Sequence, residues 1–323
     1  MIILITGGAG YVGSHIALEM LDAGHEVVVA DNLSTGLLSL VPEGAKLETA
    51  DVRDRDRMSS IMSAHGIDTV VHCAGSTVVP DSVRYPLDYY DNNVGGSLGL
   101  LHAMQDAGVR RVLFSSTAAV YAVKDSNPIG EDGTLAPASP YGASKLMVER
   151  IIQDMAAAGR VEFIILRYFN VAGADEQGRS GQSTPKATHL IKIAAEVALA
   201  KRETLEIYGT DWPTPDGTGV RDFIHVNDLA RAHRLAAEAL ATGAGNRIYN
   251  CGYGHGYSVR EVVQAVEQIT QRRLPTQTAP RRPGDLAAVV ADSAALQENL
   301  GWTPRHDDLK EILRHALAWE ERI

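Results

Sequence analysis

Hydrophobic and polar positions follow two different periods along the first half of the chain. Short apolar runs such as Ile2–Ile5 and Val27–Ala30 are typical of buried parallel strands. Longer segments with apolar residues three or four positions apart are typical of amphipathic helices. These patterns predict strands at 2–6, 26–31, 46–50, 68–73, 110–116 and 161–167, and helices at 11–23, 53–65, 84–108 and 140–159. The alternation predicts an α/β fold with a parallel sheet and helices on both faces.

The pattern becomes irregular after about residue 170. Residues 173–188 and 210–219 are polar and glycine-rich, which predicts two long loops. Helices are predicted at 190–201, 227–242, 258–271 and 305–320. Ser258 and Glu261 have the spacing of a capping box at the start of the third of these helices.

A glycine-rich turn directly follows the first predicted strand. The turn and the first helical turn contain Gly7, Gly10, Tyr11, Val12 and Gly13, with the spacing G-x-x-G-x-x-G. Glycines permit a tight turn and a close approach to a pyrophosphate, whose charge is favoured at a helix N-terminus. Asp31 ends the next strand and can accept hydrogen bonds from both ribose hydroxyls of an adenosine, but it would repel a 2′-phosphate. The sequence therefore predicts NAD rather than NADP.

Residues after the third and fourth strands complete the predicted cofactor site. Ligands of open parallel sheets bind beyond the carboxyl ends of the strands. The residues expected there, lining the adenine and nicotinamide pockets, are Asp51, Val52, Cys73, Ala74 and Gly75. We therefore predict a doubly wound, Rossmann-type NAD-binding domain over residues 1–170. A smaller mixed α/β substrate domain, interleaved with the first, is predicted over residues 171–323.

Tyr141 and Lys145 lie one turn apart near the start of the helix predicted at 140–159. The reference pKa of tyrosine is about 10, and a lysine on the same helix face is expected to lower it and favour the phenolate. Such a tyrosine can act as a general base. Thr117 follows the strand at 110–116, and its hydroxyl can contact the same substrate oxygen. Beside a dinucleotide site, these three residues predict hydride transfer at a carbinol.

Charge and composition argue against several other classes of protein. The chain has 30 lysines and arginines against 40 aspartates and glutamates, a formal charge of −10, so nucleic acid and anionic membranes are not expected partners. We predict no transmembrane helix and, because the N-terminal apolar stretch is too short for a signal peptide, a cytoplasmic location. Cys73, Cys251 and the eleven histidines show no ligand spacing, which predicts free thiols and no metal.

The dinucleotide motif with its hydroxyl, tyrosine and lysine resembles the short-chain dehydrogenase/reductase family. The resemblance narrows to the extended enzymes of the UDP-glucose (UDP-galactose) 4-epimerase type and runs essentially end to end. The segments that carry it are 6–13, 31–33, 51–52, 89–93, 115–117, 139–145, 167–170, 217–222 and 280–285. The last three segments are specific to nucleotide-sugar epimerases and their close relatives.

This resemblance implies 4-epimerisation of a UDP-hexose, UDP-galactose to UDP-glucose, through a transient 4-keto sugar and with retained NAD. It implies a role in galactose metabolism and a homodimer formed through the helices predicted at 84–108 and 140–159. Tyr141 would deprotonate the sugar 4-hydroxyl, Thr117 would bind the 4-oxygen, and Lys145 would hold the nicotinamide ribose and lower the tyrosine pKa. Further implied cofactor contacts are Asn32, Asn92 and Tyr168.

The resemblance also implies a set of substrate-binding residues. Arg221 and Arg282 would bind the pyrophosphate, because forked guanidiniums suit phosphate. Tyr208 would stack on uracil, Asp285 would bind the uridine ribose, and Asn170 would bind the sugar or its phosphate. The other members of the set are His189, Leu190 and Val289.

Three positions depart from the family pattern. His189 stands where the best-known members have asparagine near the phosphates. Thr77 replaces a lysine that in some relatives contacts the cofactor phosphate, which predicts looser NAD binding. Val289 stands where glucose-restricted members have tyrosine, and its smaller side chain predicts activity on UDP-GlcNAc and UDP-GalNAc.

Several alternative functions stay open. A 4,6-dehydratase on the same fold is disfavoured, because Ala118 and Ala119 stand where that family places Asp-Glu. A UDP-pentose 4-epimerase, a UDP-glucuronate decarboxylase and a UDP-glucuronate 4-epimerase would share the hydride step. The non-enzymatic alternative is a dinucleotide-sensing binding protein, which the presence of both Tyr141 and Lys145 disfavours.

Overall fold

The computed structural model describes residues 1–122, 127–184, 188–282 and 285–323. They fall into two compact units. The first comprises residues 1–122, 135–167 and 230–249, and the second takes its described residues from 123–134, 168–229 and 250–323. Each unit is built from several segments of the chain, and the two domains predicted on either side of residue 170 stay a prediction.

Strands and helices alternate through the first half, as the apolar pattern indicates. The strands are β1 (Ile2–Thr6), β2 (Glu26–Asp31), β3 (Lys46–Thr49), β4 (Thr69–His72), β5 (Arg111–Thr117), β6 (Glu162–Tyr168), β7 (Asn170–Ala172), β8 (Leu205–Tyr208), β9 (Val220–Arg221), β10 (Phe223–His225), β11 (Arg247–Cys251), β12 (Tyr257–Ser258), β13 (Thr276–Ala279) and β14 (Ala288–Val289). The helices are α1 (Tyr11–Asp22), α2 (Arg55–His65), α3 (Val79–Arg84), α4 (Pro86–Tyr89), α5 (Gly96–Ala107), α6 (Pro140–Ala157), α7 (Leu190–Ala198), α8 (Val226–Ala241), α9 (Val259–Thr270), α10 (Ala294–Leu300) and α11 (Leu309–Glu320).

A seven-stranded sheet has the order β11-β6-β5-β4-β1-β2-β3. Strand β1 pairs in parallel with both β2 and β4, and the pairs β2–β3 and β4–β5 are also parallel. The order reverses between β1 and β4, and ligands of such sheets bind outside the carboxyl ends at that point. The six strands predicted in the first half are confirmed to within two residues at each end, and the predicted doubly wound α/β fold is confirmed.

The helix predicted over 84–108 is confirmed for residues 86–107, although it is not a regular α-helix throughout. The segment contains α3, α4, a π-helical turn at Tyr90–Gly95 and α5. Pro86 separates α3 from α4, because its ring and missing N–H do not allow the preceding helix to continue. The π-helical turn widens the backbone at the Asn92–Asn93 pair, a feature common at functional sites.

The second unit contains short strands that apolar periodicity did not reveal. Strands β12, β9 and β14 form one small sheet, β10 pairs with β7, and β13 pairs with β8. The predicted capping box is confirmed: Ser258 Oγ accepts from the Glu261 N–H at 3.1 Å, and Glu261 Oε2 accepts from the Ser258 N–H at 2.6 Å. Helix α11 begins four residues after the predicted start at residue 305, where the Asp308 side chain caps it by accepting from the Lys310 and Glu311 N–H groups. Within the described ranges, no helix is long and apolar enough to cross a membrane.

Candidate active site

The glycine turn after β1 forms a close-packed cradle. Gly7 has a φ of 71°, a conformation that only glycine adopts without strain, and its N–H donates to the Ala30 carbonyl at 2.8 Å. A Cβ on Gly13 would lie 2.2 Å from the Gly7 oxygen. Gly10 precedes α1 and supplies no side chain to cap it, which suits the binding of an anion at this helix N-terminus.

Asp31 lies buried at the end of β2 and is oriented by backbone groups. Its carboxylate accepts from the Ala9 N–H at 3.0 Å and from the Leu33 N–H at 2.8 Å. Each oxygen retains a lone pair for a further donor such as a ribose hydroxyl. A Cβ on Gly36 would lie 2.9 Å from both Asp31 oxygens, so the backbone here leaves room only for glycine. The cradle and the carboxylate together fit the pyrophosphate and adenosine ribose of NAD.

The predicted residues Asn32 and Asp51 are hydrogen bonded to each other at this edge of the sheet, with Asn32 Nδ2 donating to Asp51 Oδ2 at 3.0 Å. Arg53 binds the same Asp51 carboxylate at 2.8 and 2.9 Å and reaches Asp91 at 2.9 Å. The Arg53 hydrogen bond holds the pKa of Asp51 well below its usual range. Arg53 is thus paired with two carboxylates rather than presented to a 2′-phosphate, in keeping with NAD.

Thr117, Tyr141 and Lys145 come together where β5 ends and α6 begins. Ser139 caps α6 by accepting from the Gly142 N–H at 3.2 Å, which fixes the first turn that carries Tyr141. The buried Tyr141 has the Thr117 hydroxyl close enough to lower its pKa. Lys145 Nζ donates to the Ser115 carbonyl at 2.9 Å and lies 4.7 Å from the centroid of the Phe114 ring.

The direction predicted for the pKa of Tyr141 is wrong in this arrangement. Burial raises the pKa of Tyr141 to about 12, against the lowering effect of the nearby Thr117 side chain. Burial also lowers the pKa of Lys145 to about 8, although the charges of Cys73 and Glu149 raise it. The four-residue spacing places Lys145 on the expected face of the helix. Its ammonium is hydrogen bonded to the Ser115 carbonyl, however, and does not offset the effect of burial on the pKa of Tyr141.

The predicted residues after β4 lie beside Lys145. Cys73 Sγ is 3.1 Å from Ser115 Oγ, and burial raises the pKa of the Cys73 thiol to about 11. A Cβ on Gly75 would lie 3.8 Å from Lys145 Nζ. The Ala74 N–H donates to Thr6 Oγ1 at 3.4 Å. Val52, in contrast, is buried against α5, where a Cβ on Gly96 would lie 2.9 Å from Val52 Cγ2.

Sequence reasoning selected Asn92 but not its neighbour Asn93. Asn92 Nδ2 donates to Ser76 Oγ at 3.0 Å. The buried Asn93 accepts from the Ser76 N–H at 2.7 Å and donates to Ser144 Oγ at 3.0 Å, which ties the loop after β4 to α6. The signal for Asn93 in the sequence was its place in the segment 89–93, which carries the family resemblance.

In the second unit, Arg221 and Arg282 form a cationic pair. Arg221 lies on β9 and donates to the carbonyls of Val220 at 2.8 Å and Leu286 at 2.9 Å, and its Nη2 is 3.8 Å from Asp285 Oδ1. Burial and the charge of Arg282 lower the pKa of Arg221, against the opposing effect of Asp285. Two guanidiniums that repel each other in a half-buried position suit a ligand with two negative charges.

Tyr208 lies at the end of β8 with Arg282 over its ring, at 3.6 Å from Arg282 Cζ to the ring centroid. The Tyr208 hydroxyl donates to Glu206. One face of the ring predicted to stack on uracil is therefore covered by a guanidinium. Val289 of β14 is the register partner of Arg221.

The remaining predicted residues lie at the ends of other elements in this unit. Asn170 begins β7, and its N–H donates to the Asp222 carbonyl at 3.0 Å, next in sequence to Arg221. Tyr168 is the last residue of β6. His189 and Leu190 lie at the start of α7, where His189 Nδ1 accepts from the Gln182 amide at 3.2 Å. The contacts observed for His189 and Leu190 do not join them to the arginine pair.

Cys73 and Cys251 are free thiols. Over the part of the chain that the structure describes, no group of three or more His, Cys, Asp or Glu side chains is placed to hold a metal ion.

The fold and its hydroxyl, tyrosine and lysine define a Rossmann-type dinucleotide-binding enzyme of the short-chain dehydrogenase/reductase class.

The chain belongs to the NAD dependent epimerase/dehydratase family, whose model matches residues 3–252. NAD, the cofactor predicted from the glycine turn and Asp31, is the cofactor of that family. A UDP-glucose 4-epimerase of Azospirillum brasilense is 50% identical over 99% of this chain and 92% of its own length. One of Corynebacterium glutamicum is 46% identical over 100% and 97% of the two chains.

The fold is similar to that of solved epimerases. The crystal structure of a UDP-glucose 4-epimerase from Stenotrophomonas maltophila, with bound NAD and formylated UDP-arabinopyranose, has a TM-score of 0.96 and 40% identity, and the match covers 100% of this chain and 98% of that one. The predicted resemblance to UDP-glucose 4-epimerases is confirmed by these relatives.

Proposed function

We propose that this chain interconverts UDP-galactose and UDP-glucose by NAD-dependent 4-epimerisation through a transient 4-keto sugar. The observation that carries the proposal is the buried set of Thr117, Tyr141 and Lys145, at the carboxyl end of a dinucleotide-binding sheet. The end-to-end identity with UDP-glucose 4-epimerases supports the same reaction.

In this proposal Tyr141 takes the proton from the sugar 4-hydroxyl, and Thr117 hydrogen bonds to the same oxygen. When bound, NAD supplies a reversible hydride acceptor, so the overall reaction has no net redox change. Burial keeps the pKa of Tyr141 near 12 in the ligand-free arrangement, so the base needs additional positive charge in its surroundings. Lys145 contributes an ammonium to this site, and its low exposure limits screening by water.

The second unit is proposed to hold the nucleotide. Arg221 and Arg282 bind the diphosphate, which relieves their mutual repulsion, and Asp285 binds the uridine ribose. Stacking of uracil on Tyr208 requires either the ring face opposite Arg282 or a shift of that guanidinium. Asn170, His189 and Leu190 are proposed to contact the sugar and its phosphates.

An isotope experiment tests the reaction directly. The purified protein is incubated with UDP-galactose in deuterated water, without added NAD, and UDP-glucose is followed by NMR. A hydride taken from C4 and returned to C4 leaves no deuterium there. Deuterium at C4 would indicate proton abstraction next to a carbonyl, and an absence of turnover with retained NAD would overturn the proposal.

Val289 leads us to propose activity on UDP-GlcNAc and UDP-GalNAc as well. Valine leaves more room than the tyrosine of glucose-restricted family members. A Val289→Tyr variant is expected to lose turnover of the acetamido sugars and to keep that of UDP-galactose. If both acetamido sugars prove inert in the unmodified protein while UDP-galactose reacts, this part of the proposal fails.

A UDP-pentose 4-epimerase is the second candidate. It is favoured by one observation, the formylated UDP-arabinopyranose bound to the similar Stenotrophomonas enzyme. The reacting C4 carbinol is common to both substrate classes, so the same residues would perform the chemistry. Parallel kcat/KM measurements with UDP-galactose, UDP-arabinose and UDP-glucuronate distinguish the hexose, pentose and uronate activities.

We also infer a homodimer located in the cytoplasm. Helices α3 to α6 expose several apolar side chains, among them Val83 (64% exposed), Leu87 (78%), Leu98 (41%) and Met147 (46%). Exposed apolar patches of this kind mark interaction sites. Light scattering is expected to give twice the chain mass, and a Leu87→Glu/Leu98→Glu variant to give a monomer. A monomeric unmodified protein would contradict the inference.

A further inference from the structure

Helix α6 carries a buried carboxylate on the same face as the tyrosine and the lysine. Tyr141, Lys145 and Glu149 follow one another at intervals of four, so they share one face of the helix. The Glu149 side chain is completely buried. Burying a carboxylate destabilises the folded state unless the carboxylate is paired and hydrogen bonded. The groups that pair with it must therefore lie close to it.

Glu149 joins α6 to the ends of β5 and β6. The Arg167 guanidinium, on β6, binds it in a forked arrangement, with Nη2 to Oε2 at 2.6 Å and Nε to Oε1 at 3.1 Å. The Ser116 hydroxyl, on β5, donates to Glu149 Oε1. Arg167 Nη1 also donates to the Tyr121 hydroxyl at 3.0 Å, just after the Ala118–Val120 turn. All these groups belong to the first unit.

This network includes residues on both sides of Thr117 in the sequence, Ser116 before it and Tyr121 after it. Thr117 directly follows Ser116, which Glu149 binds. Thr117 Oγ1 also accepts from the Ala119 N–H at 3.1 Å, within the turn that leads to Tyr121. A displacement of Ser116 would therefore move Thr117 relative to Tyr141, because α6 is held at Glu149.

Stability alone is a poor explanation for this ion pair. Replacing a buried ion pair with apolar residues of similar volume often leaves the stability of a protein unchanged or raises it, because the desolvation of two charges is avoided. The pair also lies one turn from Lys145, whose ammonium is buried with Cys73, His72 and the Phe114 ring around it. A carboxylate at this distance favours the protonated lysine.

We propose that Glu149, paired with Arg167, is a positioning residue that fixes Thr117 against Tyr141 and sustains the positive charge of Lys145. The expected change in kcat rests on the proposed function. The expected change in the titration of Lys145 does not. The electrostatic part concerns only groups within the first unit. It can therefore be tested even if the protein proves to act on a different sugar nucleotide.

The first test measures the titration of Lys145 in the protein as purified. The chain has seven lysines, so ¹³Cε-lysine NMR gives few resonances, and a Lys145→Arg variant identifies the one of interest. Lys145 is expected to titrate about one pH unit lower in Glu149→Gln than in the unmodified protein, because the Glu149 charge raises the pKa of Lys145. The matched control is Asp154→Asn, which removes an exposed carboxylate from the same helix, paired with Arg150. Equal titration of Lys145 in Glu149→Gln and the unmodified protein would overturn the electrostatic part.

The second test separates positioning from charge and applies even if Glu149→Gln does not fold. Ser116→Ala removes only the bond from β5 to Glu149 and leaves the ion pair intact. We expect kcat to fall about tenfold with KM nearly unchanged, and the titration of Lys145 to stay in place. An unchanged kcat in Ser116→Ala would overturn the positioning part. If the unmodified protein epimerises no UDP-sugar while Lys145 still responds to Glu149→Gln, the proposed function fails and the electrostatic part stands.

Discussion

The two units of this protein hold their functional side chains by different means. In the first unit, Thr117, Tyr141 and Lys145 lie at a strand end and within one helix, and they are 8%, 7% and 3% exposed. In the second, Arg221 and Asp285 lie on a two-residue strand and a loop, with side chains 21% and 37% exposed.

The difference follows from what each set has to do. Proton and hydride transfer depend on sub-ångström placement and on charges that water does not screen, which a helix and a strand end provide. Recognition of a long, charged nucleotide depends on several contacts that each contribute a small part of the binding free energy. Side chains on loops can make such contacts. Changes in the first unit should therefore act on kcat, and changes in the second should act on KM.

The largest effect is expected from Tyr141→Phe, which removes the proton-transferring hydroxyl without changing the volume of the ring. We expect kcat for UDP-galactose to fall about 10³-fold, while NAD remains bound, as measured by NMR turnover and by release of the cofactor on denaturation. The control is Tyr89→Phe, which removes another buried hydroxyl, the one that donates to the Val78 carbonyl at 2.6 Å. Unchanged turnover in Tyr141→Phe would exclude Tyr141 as the base.

Lys145→Met is expected to stabilise the ligand-free protein while it abolishes turnover. Burial lowers the folded-state pKa of Lys145 to about 8 from an unfolded value of 10.5. A buried ammonium thus destabilises the fold below pH 8, and this cost disappears as the pH rises from about 8 to 10.5. We expect a gain of about 3 kcal/mol in the free energy of unfolding at pH 7.

Urea unfolding at several pH values checks this gain. The difference between Lys145→Met and the unmodified protein should shrink as the pH approaches 10.5, because the lysine is then neutral in the folded state and half neutral in the unfolded state. A gain that stays constant across this range would show that packing, and not the charge, is its cause.

Arg282→Met is expected to raise the KM for UDP-galactose about tenfold, because it removes a charged hydrogen-bond donor worth about 1.5–3 kcal/mol. The kcat should change much less. Arg281→Met is a matched control, since Arg281 is the adjacent arginine and also lies over an aromatic ring, 4.0 Å from the centroid of Trp212. Steady-state kinetics at two salt concentrations measure both parameters. Equal effects of the two variants would remove Arg282 from the binding set.

The smallest effects are expected from two helix caps, one in each unit. Ser139 and Ser258 each accept a backbone N–H, at 3.2 Å and 3.1 Å. Replacing either serine with alanine should cost about 1 kcal/mol of unfolding free energy. Only Ser139→Ala is expected to lower kcat, about threefold, because it loosens the turn that holds Tyr141. A comparable loss of kcat in Ser258→Ala would contradict the expectation that only changes in the first unit act on kcat.

Much of the first unit could be predicted because its elements are long and periodic. Runs such as Val27–Ala30 specify strands by composition, and the glycine turn and Asp31 form a motif local in sequence. Tyr141 and Lys145 were found for the same reason, since one helical turn separates them. The helix predicted over 84–108 begins at Pro86 and has π-helical geometry at Tyr90–Gly95, which the apolar period did not show.

The second unit was harder to predict because strands of two to five residues do not show a period. The arginine pair was identified only through a family resemblance, and the stacking of Arg282 on Tyr208 was not expected. Asn93 and the partners of Glu149 were missed as well, because they act through residues distant in sequence.

The sequence by itself determined the dinucleotide fold, the cofactor and the tyrosine–lysine helix, since each depends on interactions between near neighbours along the chain. Only the tertiary structure decided the pKa values of Tyr141 and Lys145 and the ion pair of Glu149 with Arg167. The physical reason is that desolvation and buried pairing depend on which distant segments exclude water from a side chain.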